Sequence, residues 1–351
     1  MIRLLALTLL VWSGAVASAE EQVSREQVRY VMGTTATVRA WAPDAESAAL
    51  AVEAAYAAFA RTDSLMSTWR DDSVLSRLNR SVAGHWVEVG PEVCGVLDEA
   101  KRVAEASKGA FDPTVLPLVR LWGFRDGDVA LPDAQVLDNV LHSVGHDLLE
   151  LDLPGGRARL LTQDAAVDLG GIAKGHALEQ AARAMQNAGA GSGVVDLGGN
   201  ILVFGPATAR QVGIVDPRRE DRLLAAVLLT DAAVATSGQY ERFLTIEGRR
   251  YGHILDPRSG WPVPSGISVT VVAGRAILAD ALATAAVVLG PDDGLALLER
   301  ISGVEGVLAV PDGRGGLGLK TTSGYVPVPE SPGTAHGLQS CSKEGKAQQT
   351  H

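Results

Sequence analysis

The sequence predicts an α+β fold, and three observations carry that prediction. Helical and strand-like segments are mixed along the chain without the regular alternation of a doubly wound sheet. Thirty-nine glycines punctuate these segments, marking many tight turns and close backbone approaches. Hydrophobic residues make up 46% of the 351-residue chain, which is ample for a large core. Between Arg29 and about Val328 there is no long linker or composition break, so this stretch reads as one compact, two-lobed unit.

Residues 1–19 read as a secretory signal peptide. Arg3 gives a positive start, Leu4 to Trp12 an apolar run, and Ala17-Ser18-Ala19 a small-residue cleavage site before Glu20-Glu21. The apolar run is shorter than the roughly 20 residues a membrane span needs. No Cys sits near the cleavage site to take a lipid anchor. The expected product is an exported, soluble chain, with residues 20–328 as its folded unit. After Val328 the sequence turns to Ser, Gly, Lys and Gln, and 329–351 reads as a disordered tail.

Within the folded unit a strand is expected over Val28–Ala40, followed by an Ala-rich helix over Ala45–Ala60. The next helix, Pro91–Lys108, has Pro near its start and Gly109 just beyond its end. A third, Ile172–Ala188, follows a Gly pair and stops at Gly189. Strands are expected at Gly193–Phe204, Gln211–Val215, Leu223–Leu229, Arg242–Thr245, Arg250–Ile254 and Ile267–Ala273. A helix over Ala276–Leu289 ends at Gly290-Pro291, and Val304–Val310 and Leu317–Val326 close the unit as paired strands.

Lys and Arg total 31 against 41 Asp and Glu, a net charge of −10; removing the leader with its one Arg gives 30 − 41 = −11. An acidic chain without a basic stripe repels phosphate backbones, so nucleic acid is excluded as a partner. Two cysteines, Cys94 and Cys341, form neither a disulfide framework nor a thiolate metal site. Gly313-Arg314-Gly315-Gly316-Leu317-Gly318 fits a dinucleotide-binding spacing, but a strand-like run follows it where a helix is required. It reads as a glycine hairpin. His142 and His146 are four apart, with Gly145 between them and no third ligand nearby, which argues against a metal pair. Val-Asp-Leu-Gly-Gly occurs twice, at 167–171 and 195–199, as shared turn chemistry or as duplication.

Chemistry concentrates in four places. The helix over 276–289 is apolar on all sides and should be buried, so its lone carboxylate, Asp280, must be paired or neutralised. Thr284 lies four residues on, hence on the same face. Two oxygen ligands suit a hard cation such as Mg²⁺; an Asp favouring the helix dipole is the equally weighted alternative. In Val167–Gly175 a strand runs through a Gly pair into a helix start, with Lys174 one turn in. That is either a diphosphate cradle of free N–H groups or a turn with a solvated Lys. The aromatics of Leu121-Trp122-Gly123-Phe124 follow the block Gly109 to Thr114, and core packing is their preferred reading. Last, His253 sits where a strand breaks into Asp256-Pro257-Arg258-Ser259-Gly260, as a general base or as a backbone-bonded His.

Taken together these blocks resemble the FAD:protein FMN transferase (ApbE) family. The resemblance is carried by Met32-Gly33-Thr34, Met66-Ser67-Thr68-Trp69, Phe111 to Thr114 with Leu121 to Phe124, and Asp168 to Gly175. Val195 to Ile201, Ala235-Thr236-Ser237-Gly238, His253 to Gly260 and Ala279 to Ala285 continue it in the family's order, across roughly 29–325. It implies an enzyme that splits FAD, attaches FMN to a Thr or Ser hydroxyl of an acceptor redox protein, and releases AMP. It also implies Mg²⁺ held by Asp280 and Thr284 with the carbonyls of Gly171 and Ala283. FAD contacts are implied for Met32, Trp69, Ala110, Phe111, Asp112, Asp168, Lys174 and Ile254, and His253 is implied as general base.

Two features depart from the family. An acidic residue usually follows Ser-Gly, and here Gln239 stands in its place before Tyr240-Glu241-Arg242. Many members carry a lipid anchor, whereas this chain is expected free in the periplasm, touching membrane only through its acceptor or an uncleaved signal. Two other functions fit the same resemblance: hydrolysis of FAD to FMN and AMP, and FAD storage without turnover.

Overall fold

The computed structural model describes residues 22–125, 129–206, 209–239, 243–264, 266–314 and 316–328. The expected signal peptide and C-terminal tail lie outside these residues. Within them the chain runs β1 (Val23–Val31), β2 (Thr34–Ala42), α1 (Ala45–Met66), α2 (Val74–Asn79), β3 (Val87–Glu88) and α3 (Gly90–Ala106). Next come α4 (Leu116–Leu121), α5 (Ala134–Leu141), β4 (Leu149–Asp152), β5 (Arg157–Leu160) and α6 (Ala173–Asn187). The rest comprises β6 (Ser192–Leu197), β7 (Asn200–Phe204), β8 (Arg210–Asp216), β9 (Arg219–Leu229), β10 (Ala232–Gly238), β11 (Phe243–Ile246) and β12 (Arg249–Gly252), then β13 (Ser268–Ala273), α7 (Ala276–Glu299), β14 (Val304–Pro311) and β15 (Leu317–Thr321).

Eight strands form one antiparallel sheet in the order β1-β2-β6-β7-β10-β13-β14-β15. Alternation along each strand gives the sheet two apolar faces. On one face Val38, Val195, Leu197 and Ala233 pack under α1 and α6, while Ala235, Val269, Val271 and Leu308 pack under α7. On the other, Val194, Val203, Val234 and Val307 meet Ile214, Val227 and Leu229 of the β8–β9 ribbon. A small sheet, β3-β5-β4, lies beside α3. A satellite cluster around Trp122 joins α4, α5 and the β11–β12 hairpin. The fold is α+β, as the mixed order of elements predicts.

The helices lie where their punctuation puts them. Asp44 caps α1 by accepting the Ser47 N–H, worth about 1 kcal/mol. The kink at Gly290 (φ 80°), followed by Pro291, interrupts α7 where the sequence expects an end; helical turns resume to Glu299. Although α7 is long and apolar enough to cross a membrane, it is largely buried against the sheet. Gly313 lies in the turn between β14 and β15, so the glycine run there is a hairpin.

Several boundaries differ. The strand expected over 28–40 is a hairpin, β1–β2, because Met32 (φ 49°) and Gly33 (φ 75°) turn the chain in the left-handed region. The strand expected over 193–204 is likewise two, β6 and β7, folded at Gly198-Gly199. No strand precedes the Gly170-Gly171 pair beyond an isolated bridge at Ala166. The two Val-Asp-Leu-Gly-Gly copies are therefore a helix lead-in and a hairpin turn, and this difference favours shared turn chemistry over duplication. Strand β10 lies where the sequence predicts none, since Ala-Ala-Val-Ala-Thr-Ser-Gly has a weak strand signature outside the sheet that buries it. The last strand stops at Thr321 rather than Val326, where Thr322 turns back to Gly306.

Candidate active site

The site forms where α6 meets α7 above β7 and β10. Glycine makes the crossing possible: a Cβ on Gly175 would lie 2.2 Å from the Ala276 carbonyl oxygen and 2.7 Å from Ile277 Cα. This close approach sets the first turn of α6 against the first turns of α7. Asp280, only 1% exposed, is the hub. Its Oδ2 accepts the Gly175 N–H (2.9 Å), and its Oδ1 accepts from Asn200 Nδ2 (2.8 Å) and Lys174 Nζ (3.1 Å). The buried carboxylate is thus paired and hydrogen-bonded, as its burial demands. One turn along, Thr284 Oγ1 lies 3.3 Å from the Asp280 carbonyl and 3.2 Å from Ser237 Oγ of β10. The Cβ position of Gly171 is 3.3 Å from Thr284 Oγ1 and 3.1 Å from the Phe111 ring. Any side chain at 171 would crowd the space beside the Thr284 hydroxyl.

The residues present fit a hard cation. A carboxylate offers about four acceptor positions, and Asp280 uses three on protein donors. Its fourth position and the Thr284 hydroxyl one turn away are oxygen donors of the kind Mg²⁺ takes when phosphate and water complete its shell, and the carbonyls of Gly171 and Ala283 are the further ligands the resemblance implies. Among the described residues no group of three or more His, Cys, Asp or Glu gathers to hold a metal, at this site or any other, so Asp280 is the lone carboxylate of the set.

The start of α6 keeps part of the expected cradle of free N–H groups. Ile172 and Ala173 N–H both bond the Leu169 carbonyl, His176 N–H bonds Ile172, and Gly175 N–H is taken by Asp280. Among the described residues the Gly171 and Lys174 N–H groups find no acceptor, so the positive character of this corner comes from these two N–H groups together with the Lys174 ammonium. Asp168 closes the lead-in by accepting Gly170 N–H (2.7 Å) and the Thr68 hydroxyl (2.9 Å). The latter bond ties the chain before Trp69 to the site. Trp69 is 64% exposed, and the Arg125 guanidinium lies 5.2 Å from its ring centroid.

Of the other expected FAD contacts, Ala110 and Phe111 are buried, Phe111 with its ring against Gly171. Met32 is half-buried in the β1–β2 turn, whose neighbour Thr34 packs against Gly198. Asp112 faces inward: one oxygen accepts Thr114 N–H and Oγ1, the other His146 N–H and Nδ1. Its side chain braces this loop, a structural use that the motif alone conceals. Trp122 is fully buried, its indole N–H donated to the Gly260 carbonyl (2.8 Å), so it is core rather than a wall for a flat ring.

His253 and Ile254 follow β12, on the loop that leads to Asp256 and Arg258. Arg258 packs over Gly109, which lays this loop across the 109–112 block. A link from the Asp280 cluster to the His253 loop runs through β10. Ser237 meets Thr284, and Gln239, just past the strand end, bonds Ile254 and Val263. The sequence assigns no chemical role to Asn200 and Ser237, although each lies within a matched motif, and it marks Gln239, just past the Ala235–Gly238 block, only as a departure from the family's acidic residue.

The family model described as the ApbE family matches residues 32–308. The chain belongs to the ApbE family. A FAD:protein FMN transferase of Treponema pallidum is 35% identical over 306 residues, covering 81% of this chain and 84% of that protein. Among solved structures, the ApbE protein of Thermotoga maritima superposes with a TM-score of 0.77 at 30% identity, over 86% of this chain and 97% of the other. The apo form of the flavinyl transferase ApbE of Pseudomonas stutzeri gives 0.75 at 30% identity, over 86% and 95%.

Proposed function

We propose that this ApbE-family enzyme is an FAD:protein FMN transferase that moves FMN from FAD to a Thr or Ser hydroxyl of an acceptor redox protein and releases AMP. The observation carrying the proposal is the Asp280 hub: a buried carboxylate with one acceptor position to spare, a hydroxyl one turn away, and a lysine in contact with it. Family membership and the activity named for its relatives support the same reading.

Mg²⁺ held by Asp280, Thr284 and the carbonyls of Gly171 and Ala283 would supply charge neutralisation at the FAD pyrophosphate. Lys174, a third exposed, is placed to turn from Asp280 toward a phosphate oxygen. Trp69 supplies an exposed ring for a flat group, while Met32, Ala110, Phe111, Asp168 and Ile254 are assigned to the walls that orient the dinucleotide. Asp112 would contribute through the loop it braces. The acceptor hydroxyl oxygen forms a bond to the FMN-side phosphorus, the phosphoanhydride bond to AMP breaks, and His253 takes the hydroxyl proton. Such a reaction demands mainly positioning and charge stabilisation from the protein. Export through residues 1–19 would place the enzyme in the periplasm.

Incubating the purified chain with FAD, Mg²⁺ and an acceptor domain carrying a flavinylation Thr tests the proposal by intact mass. A gain equal to FMN is the expected result. AMP with free FMN and no adduct would make it a pyrophosphatase, and unchanged FAD a flavin-binding protein.

A further inference from the structure

Gln239 is buried at the end of β10, and its amide is fully engaged with the loop that carries His253. Nε2 donates to the carbonyls of Ile254 (2.7 Å) and Val263 (3.0 Å), and Oε1 accepts the Ile254 N–H (3.1 Å). Two donors meet two carbonyls and one acceptor meets one N–H, a complement that only a primary amide offers at this length. On the other side of His253 the amide presses on Gly252, where a Cβ would lie 1.7 Å from Oε1. The Gln239 amide therefore occupies this place only because residue 252 carries no side chain. His253 lies between a glycine that admits the amide and an isoleucine whose backbone the amide holds at both N–H and C=O. Two residues before Gln239, Ser237 touches Thr284, so one strand end reaches both the Thr284 hydroxyl and the backbone that flanks the histidine.

We propose that Gln239 is a positioning residue for the transfer step: its amide fixes the backbone on both sides of His253. The proposal rests on His253 as the proton acceptor. A carboxylate here would set negative oxygen against two carbonyls, and alanine would leave the buried Val263 carbonyl and Ile254 N–H without these partners. Either change frees the His253 loop to shift, and a displacement of about 1 Å at a reacting group costs on the order of 100-fold in rate.

The test is a cycle of Q239A and Q239E, each alone and combined with H253A, reading single-turnover FMN transfer, FAD affinity by fluorescence quenching, and thermal unfolding. Each Gln239 variant should slow transfer by about 10- to 100-fold, while FAD affinity changes by less than about threefold. In the H253A background neither should reduce the residual rate further, because the group being positioned is already gone. Q239E preserves side-chain length, so the cycle still reads if Q239A folds poorly. Additive losses in both backgrounds, a loss of FAD affinity that accounts for the rate, or native transfer in folded Q239A would overturn the positioning role. A native rate in H253A alone would instead remove His253 as base, a failure distinguishable from the others.

Discussion

Replacing Asp280 by alanine tests the hub in two independent ways. The substitution leaves the Gly175 N–H and the Asn200 amide, both buried, without the acceptor they share. A buried donor left unsatisfied costs about 1–3 kcal/mol, so the two together should cost about 2–6 kcal/mol. Lys174 adds little, because its side chain is a third exposed and can turn to water. At about 2 °C per kcal/mol, the lower end for large domains, the unfolding midpoint should fall by about 4–12 °C. Asp280→Asn keeps the volume but retains only one acceptor oxygen, and should recover part of that loss. Differential scanning calorimetry measures the stability change; isothermal titration with Mg²⁺ and FAD, followed by turnover, measures the function. Both variants should lose Mg²⁺-dependent transfer. An unfolding midpoint within about 1 °C of the native chain would contradict the hydrogen-bonding hub, and native turnover in a folded Asp280→Ala would remove the cation site.

Gly175→Ala forces the α6 and α7 backbones apart, since its Cβ would meet the Ala276 carbonyl at 2.2 Å. Overpacking of this kind costs about 1–3 kcal/mol or more; an unfolding midpoint equal to that of the native chain would show that the crossing is not tight. His176 is buried against Glu92, and desolvation holds its imidazole below the ordinary histidine range even though the Glu92 carboxylate pulls the other way. The unfolded chain therefore binds a proton that the native chain refuses. The stability His176 contributes is complete above about pH 6.5 and is lost as pH falls from there toward its lowered native value. Urea midpoints at pH 7.5 and 5.5 should drop further for the native chain than for His176→Gln, and parallel drops would discount the histidine.

Much of this architecture is written locally. The end of α3 follows Gly109 and the break in α7 follows Gly290, because left-handed turns act over a few residues. Asp280 and Thr284 could be paired from the helical period alone, and the structure places them one turn apart beside Gly171. What failed was non-local. Strand β10 is held by neighbours far off in sequence, so seven small and polar residues gave no alternation to read. Asn200 reaches Asp280 across 80 residues, and Gln239 reaches Ile254 and Val263 across 15 and 24. Trp122 is core, as its preferred reading has it, whereas the bracing role of Asp112 turns on orientation, since its side chain points into the protein toward Thr114 and His146.

The break at Gly290 has a consequence beyond packing. Before it, α7 offers about 14 residues, or about 21 Å of helix, against a hydrocarbon thickness of about 30 Å. Asp280 adds a charge to this stretch, and Pro291 follows the break. A polypeptide threaded unfolded through a secretion channel exposes its apolar segments to the lateral gate one after another, and a longer uncharged segment would be released sideways into lipid. Under the proposed export, the same carboxylate that gathers Gly175, Asn200 and Lys174 in the folded chain, together with the glycine that cuts its helix short, would let this apolar stretch pass straight through.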